Sequence, residues 1–252
     1  MTYPQWTVLH IPHYSTEVPA AERGSLVLSD EQLAAELLRM TDHYTSDLFS
    51  SSTAVAVRSP VSRLIVDVER FSDDALEPMA ARGMGAVYLR TSHHDVLRRD
   101  LAAIERQRLM TTYYVPHHLR LERAVADALT IYGCCTVIDC HSFPSRALPY
   151  EQAKSSSRRS DICIGTDAFH TPTRLASSLC SSFQNAGFSV SVNDPFAGAL
   201  VPVAFYQSDK RVSAFMVEVN RDLYMDESTG NKHASFQEVA RRIRRCISGA
   251  LA

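Results

Sequence analysis

Residues 136–151 read TVIDCHSFPSRALPYE, and no other stretch constrains the fold as much. The first half is a short apolar, β-branched run, the pattern of a buried strand, and a Pro-punctuated loop follows at once. Asp139, His141 and Ser142 stand where strand gives way to loop. In open α/β sheets the carboxyl ends of the strands border a crevice walled by loops, and ligands bind there. His141 is the first candidate for a functional residue, although a lone histidine at a strand end reads more readily as a hydrogen-bonded structural group.

Two further segments repeat the pattern. In WTVLHIPHYSTEVP, residues 6–19, an apolar strand over 6–11 is ended by Pro12 and followed immediately by His13. In SAFMVEVNRD, residues 213–222, a buried strand is interrupted by Glu218 and closed by Asn220 and Arg221. A carboxylate inside so apolar a run is costly unless it is paired or employed. Three strands therefore carry His, His and Glu at or near their ends.

The rest of the chain supplies the layers around them. Ser29 and Gln32 have capping-box spacing, and Leu33, Leu37, Met40, Tyr44 and Leu48 recur with a helical period. The spacing predicts an amphipathic helix over 30–49, on which Asp42 and Asp47 read as solvated charges. Further strands are predicted at 53–57, 63–68, 86–90, 161–164 and 188–192, and helices at 95–109, 116–132, 172–185 and 233–251. Strands alternating with helices give a three-layer α/β/α domain with a mostly parallel, mixed sheet. With no linker or repeat in 252 residues, the chain reads as a single domain over 1–252.

Composition narrows the partners. Lys and Arg total 26 against 28 Asp and Glu, a formal charge of -2 that argues against a nucleic-acid or membrane-surface partner. The cluster Arg241, Arg242, Arg244, Arg245 reads as the solvated face of the last helix. No run approaches the roughly 20 apolar residues that span a bilayer. The six cysteines lack CxxC spacing and no leader sequence is evident, so reduced thiols and a cytoplasmic location are expected. No pattern encodes an oligomeric state.

Two imidazoles and a carboxylate are the commonest ligand set of a catalytic zinc, which keeps a further position open and lowers the pKa of its water towards about 7. Glu218, where it is not a ligand, suits the base that takes a proton from the attacking water and passes it to a leaving amine. A hydrolase of a small molecule follows. Ser142 is no nucleophile elbow, since GxSxG is absent, and Cys140 points away from Asp139 and His141 by strand alternation. Arg63, Asp67 and Arg70 lie close together in RLIVDVERF: the guanidinium groups suit an anionic substrate, and an Arg63–Asp67 ion pair accounts for them equally well. His117 or His118, at the start of a helix, is a candidate to point into the site, and the polar residues 154–159 are a candidate lid. A metal-free binding protein on the same fold is the alternative from a different class.

The motifs PHYSTEVP at 12, MTDHYTSDLF at 40, SRLIVDVERF at 62, DCHSFPS at 139, DPFAGA at 194 and VEVNR at 217 occur in the order found in the N-formylglutamate amidohydrolase family, and the chain resembles that family from about residue 8 to 225. The resemblance implies a fold related to the zinc carboxypeptidases, a zinc site, and hydrolysis of an amide on an acidic amino acid. In histidine degradation that reaction releases formate and L-glutamate from N-formyl-L-glutamate. His13 and His141 resemble the metal histidines. The family's Thr-Asp element matches Thr41 and Asp42, which makes Asp42 the third ligand and reverses its reading as a surface charge. Glu17, one residue beyond the carboxypeptidase spacing from His13, is the alternative. Glu218 resembles the catalytic glutamate, and Arg63, Arg70 and Arg221 are candidates for the substrate carboxylates. Tyr14 and Glu69 depart from the family pattern, Tyr14 as a residue expected to crowd the site and Glu69 as one expected to repel a dicarboxylate. A zinc carboxypeptidase, or a deacylase for another N-acyl amino acid, is the second expectation.

Overall fold

The computed structural model describes residues 2–151 and 159–252. Among them, six strands form one sheet: β1 (Thr7–Ile11), β2 (Val55–Arg58), β3 (Cys135–Phe143), β4 (Ile162–Thr166), β5 (Val190–Val192) and β6 (Val212–Asn220), in the order β2-β1-β3-β6-β4-β5. The first four in that order are parallel, β4 runs antiparallel to β6, and β5 is parallel to β4. The sheet is thus mixed and mostly parallel, as the alternating pattern predicts.

The helices are α1 (Ala20–Arg23), α2 (Asp30–Met40), α3 (Thr45–Leu48), α4 (Ala103–Leu109), α5 (Val115–Tyr132), α6 (Thr173–Asn185) and α7 (Phe236–Leu251). Strand alternation assigns them to layers. Leu9, Ile11, Ile138, Cys140, Phe215 and Val217 share a core with Leu48 of α3, Phe183 of α6 and Ile243 of α7. On the other face, Val8, Val137 and Ala214 pack against Leu121, Val125 and Leu129 of α5. Every residue of β3 is buried. At about 1.5–3 kcal/mol for each large apolar side chain removed from water, the central strand anchors both layers.

Helix prediction over 30–49 meets a break. The helix starts at Ser29 with the expected capping box but stops at Met40; Thr41 is extended and Tyr44 takes a left-handed φ of 66° before α3 resumes. Partners outside the helix compensate the lost helical bonds. The Asp42 amide donates to the His13 carbonyl at 2.9 Å, while its carboxylate accepts from the Ser142 amide and from Arg221. Asp42 is therefore buried rather than solvated, whereas Asp47 is exposed.

Residues 63–68 and 86–90 are not strands. They are irregular segments that bury Leu64, Ile65, Val66, Val68, Ala86 and Tyr88 in a further core beneath Leu33 and Met40 of α2. Apolar runs there satisfy turn bonds, such as Ile65 N–H to the Ser62 carbonyl at 2.9 Å, and the long-range bond from Asp67 N–H to the Ala86 carbonyl at 2.8 Å, instead of a ladder. The helix expected from residue 95 begins at Ala103, because Leu97 donates to the Leu89 carbonyl and Arg98 is buried with its guanidinium on the Leu64 carbonyl at 2.9 Å. A π-helical turn, Met110–Tyr114, then joins α4 to α5. Of the candidate lid, residues 154–158 lie outside the described residues.

Candidate active site

The sheet order makes β1, β3 and β6 neighbours, so their carboxyl ends present one edge. His13 follows β1 after Pro12, His141 lies near the end of β3, and register places Glu218 of β6 directly beside His141. The break between α2 and α3 brings Asp42 to the same point. One side-chain ligand atom from each of His13, Asp42 and His141 lies within 4.8 Å of the other two. All three residues are buried, at 4%, 2% and 4% exposure.

Both imidazoles are oriented from behind by an aspartate. His13 Nε2 contacts Asp67 Oδ1 at 2.8 Å, and His141 Nε2 contacts Asp139 Oδ1 at 2.9 Å. An ionised carboxylate only accepts, so each Nε2 carries a hydrogen; each Nδ1 is turned towards Asp42, and His141 Nδ1, 3.1 Å from Asp42 Oδ2, would give up its own hydrogen to a bound cation. His13 Nδ1 is buried with no hydrogen-bond partner. An orphaned buried nitrogen is costly, and a cation shared with Asp42 and His141 would satisfy it. Two imidazole nitrogens and a carboxylate fit zinc, and carboxylates behind the histidines are what such a site requires. Burial pushes the Asp42 carboxyl up, but the neighbouring His13 and His141 imidazoles, 3.7 and 3.1 Å away, outweigh it and hold it well below the usual range.

These residues open onto a cavity of about 820 Å³, also walled by Glu218, Arg63, Arg70 and Arg221. Glu218 Oε2 is buried without a partner, and burial pushes the carboxyl up to about 8. The three arginines are differently committed. Arg63 pairs with Asp67 at 2.7 Å, the ion pair that the sequence left in balance with substrate binding. Arg221 is 3% exposed and donates to Asp42 Oδ1, the Ser142 carbonyl and hydroxyl, and the Arg39 carbonyl. Arg70 is the freest: its Nε has no hydrogen-bond partner, Asp67 lying 3.6 Å from Nε and Glu77 3.9 Å from Nη1.

Other candidates lie elsewhere. Glu17 is exposed and does not line the cavity. Tyr14 packs against the core on the α7 side of the sheet rather than crowding the cavity. His117 is wholly buried against His10, and His118 contacts the Val68 carbonyl at 3.0 Å. Cys140 is in the core opposite Asp139 and His141, as alternation requires. Sequence reasoning missed the parts played by Asp67 and Asp139 behind the histidines, and Arg39, Arg82 and Arg159 in the cavity wall. Asp139 carried a signal, since alternation places it on the face of His141.

The sequence profile of the N-formylglutamate amidohydrolase family matches residues 6–225. The chain belongs to that family. It is accordingly a hydrolase acting on an amide. No curated protein sequence matches it. In fold it is similar to the crystal structure of N-formylglutamate amidohydrolase from Ralstonia eutropha JMP134, with a TM-score of 0.83 at 22% identity over 97% of this chain and 92% of that one. It is also similar to the crystal structure of a gene product of Agrobacterium tumefaciens, with a TM-score of 0.63 at 22% identity over 96% of this chain and 90% of that one. Among the described residues no helix is long and apolar enough to cross a membrane.

Proposed function

We propose that this family member is a zinc enzyme that hydrolyses the formyl, or a small acyl, amide of an acidic amino acid, with N-formyl-L-glutamate as the principal substrate. The observation that carries the reading is the convergence of His13, Asp42 and His141, with a buried, unpartnered Nδ1 on His13, at the floor of a cavity that also holds Glu218 and Arg70. When bound by these three residues, zinc supplies Lewis-acid polarisation of a carbonyl and acidifies water. Glu218, in the ionised form that a neighbouring cation would favour, accepts a proton on Oε2 from the water whose oxygen adds to the acyl carbon, and delivers it to the amide nitrogen as the C–N bond breaks. For N-formyl-L-glutamate, the products are formate and L-glutamate. Arg70 holds a substrate carboxylate, which fixes the carbonyl relative to Glu218 and selects for an acidic substrate. Arg63 lends positive charge from its pair with Asp67, and Arg221 acts chiefly by holding Asp42.

Formate release from N-formyl-L-glutamate by zinc-loaded protein tests the reading, with N-acetyl-L-glutamate, N-formyl-L-leucine and a glutamyl peptide as comparisons. The formyl dicarboxylate should give the highest kcat/KM. Preference for the acetyl compound or the peptide would support a deacylase or a carboxypeptidase instead, and no turnover of any of them would sink the proposal.

A further inference from the structure

Behind His141, away from Asp42, lies a cluster of buried titratable groups that the proposed reaction does not use. Parallel pairing of β1 with β3 sets His10 opposite Asp139. His10 Nδ1 contacts Asp139 Oδ1 at 2.9 Å, the same oxygen that accepts from His141 Nε2 at 2.9 Å. Glu69 Oε1 stands 3.0 Å from His10 Nδ1 as a second anionic neighbour, and His10 Nε2 meets His117 Nε2 at 2.8 Å. His10 and His117 are both completely buried.

We propose that His10 is a positioning residue for His141: its Nδ1–H pins Asp139 so that Asp139 accepts the Nε2–H of His141 and leaves His141 Nδ1 as the ligand atom. This rests on the reading of His13, Asp42 and His141 as a metal site. The donor assignment follows from geometry. His10 Nδ1 faces only carboxylate oxygens, which accept and do not donate, so it carries a hydrogen whatever the state of Nε2. Burial by itself would lower the His10 pKa, but the Glu69 charge and the Asp139 hydrogen bond outweigh it and raise the value to about 9. Burial, and then the charge of His10, lower His117 to about 2, so His10 donates to His117 on its far side.

Asp139 needs such a support. Its Oδ2 is held by the Leu200 amide at 2.9 Å, which leaves the carboxylate free to pivot about that oxygen unless Oδ1 is also fixed. His10 supplies the fixed point from β1, the strand that leads to His13, so the two metal histidines are indexed to each other through one carboxylate. His10, Glu69 and Asp139 would also suit a cation. The two arrangements differ in metal count, one per chain with a proton on His10 Nδ1 and two with a second ion.

Two polar substitutions separate the contacts of the ring. His10→Asn keeps a side-chain N–H where Nδ1 stands, and His10→Gln keeps one where Nε2 stands. Zinc affinity is measured by chelator competition, zinc stoichiometry by elemental analysis, and the exchange-protected Nε2–H signal of His141 by NMR on chelator-treated protein labelled at its histidine rings. His10→Asn should stay near the parent in affinity and keep the signal. His10→Gln should bind zinc about 10–100-fold more weakly and lose the signal. A His10→Gln protein with parental affinity and an intact His141 signal would overturn the proposal, as would a second zinc per chain that is lost with His10. If the parent binds no zinc, the metal reading fails by itself, and the His141 signal in the two variants still decides whether His10 positions that ring.

Discussion

Replacing Arg221 separates two roles that the sequence alone could not distinguish, and the structure gives the size of the effect. Four hydrogen bonds occupy four of the five guanidinium donors: one to Asp42 Oδ1 at 3.0 Å, two to the carbonyl and hydroxyl of Ser142, and one to the Arg39 carbonyl. Arg221 and Asp42 are 3% and 2% exposed. In Arg221→Met the side-chain volume is roughly kept, but Asp42 loses a buried partner and two backbone carbonyls lose a donor. Breaking one side of a buried pair costs about 3–5 kcal/mol. For a chain of this size each kcal/mol moves Tm by about 2–4 °C, so a fall of roughly 6–20 °C is expected in thermal unfolding followed by circular dichroism. KM for N-formyl-L-glutamate should change little in the folded fraction at low temperature. A variant that keeps its Tm and shows a KM raised tenfold or more for dicarboxylates alone would refute the structural assignment and make Arg221 the substrate clamp.

Three other outcomes follow from the same geometry. Glu218→Gln should lower kcat by at least about 10²-fold, the scale of a positioned proton-transfer group, while zinc content stays parental; near-normal turnover would remove Glu218 as the base. Arg70→Gln should raise KM for N-formyl-L-glutamate by about tenfold, the equivalent of roughly 1.4 kcal/mol of lost carboxylate binding, and affect an N-formyl amino acid amide less. Glu22 accepts from Arg108 at 2.6 and 2.8 Å and from Tyr113 at 3.1 Å, and these bonds, those from Arg108 foremost, hold its carboxyl below the usual range against burial. A depressed folded-state value means that this stabilisation is complete above the ordinary glutamate range and is lost as pH falls through the lowered one. Glu22→Gln should therefore cost about 1 kcal/mol in urea unfolding at pH 7, the upper end for an exposed ion pair because Arg108 is half exposed, and the gap to the parent should close in acid.

What the sequence made legible divides along physical lines. Strand periods are local, and β1, β3 and β6 lie within one to three residues of the expected positions, with His13, His141 and Glu218 where alternation and Pro12 put them. Apolar character is also local, but it does not say what an apolar segment pairs with. Residues 63–68 read as a strand because Leu64, Ile65, Val66 and Val68 are all apolar; they are buried beneath α2 without a ladder. Asp42 is the sharpest case. Its helical spacing and charge describe a solvated residue, and only its resemblance to a family element pointed the other way. Burial of its carboxylate is decided by groups about 100 and 180 residues distant in sequence, the Ser142 amide and Arg221, which no local pattern can weigh. The same holds for Asp67 and Asp139, whose value to the site comes from His13 54 residues away and from His10 129 residues away. Residues that touch substrate or metal advertise themselves by being polar in apolar surroundings, whereas the residues that orient them look like ordinary strand-end acids until the sheet order is known. Substitutions that disturb chemistry without touching the cavity are therefore expected first at Asp67, Asp139 and His10, the positions a sequence reading ranks last.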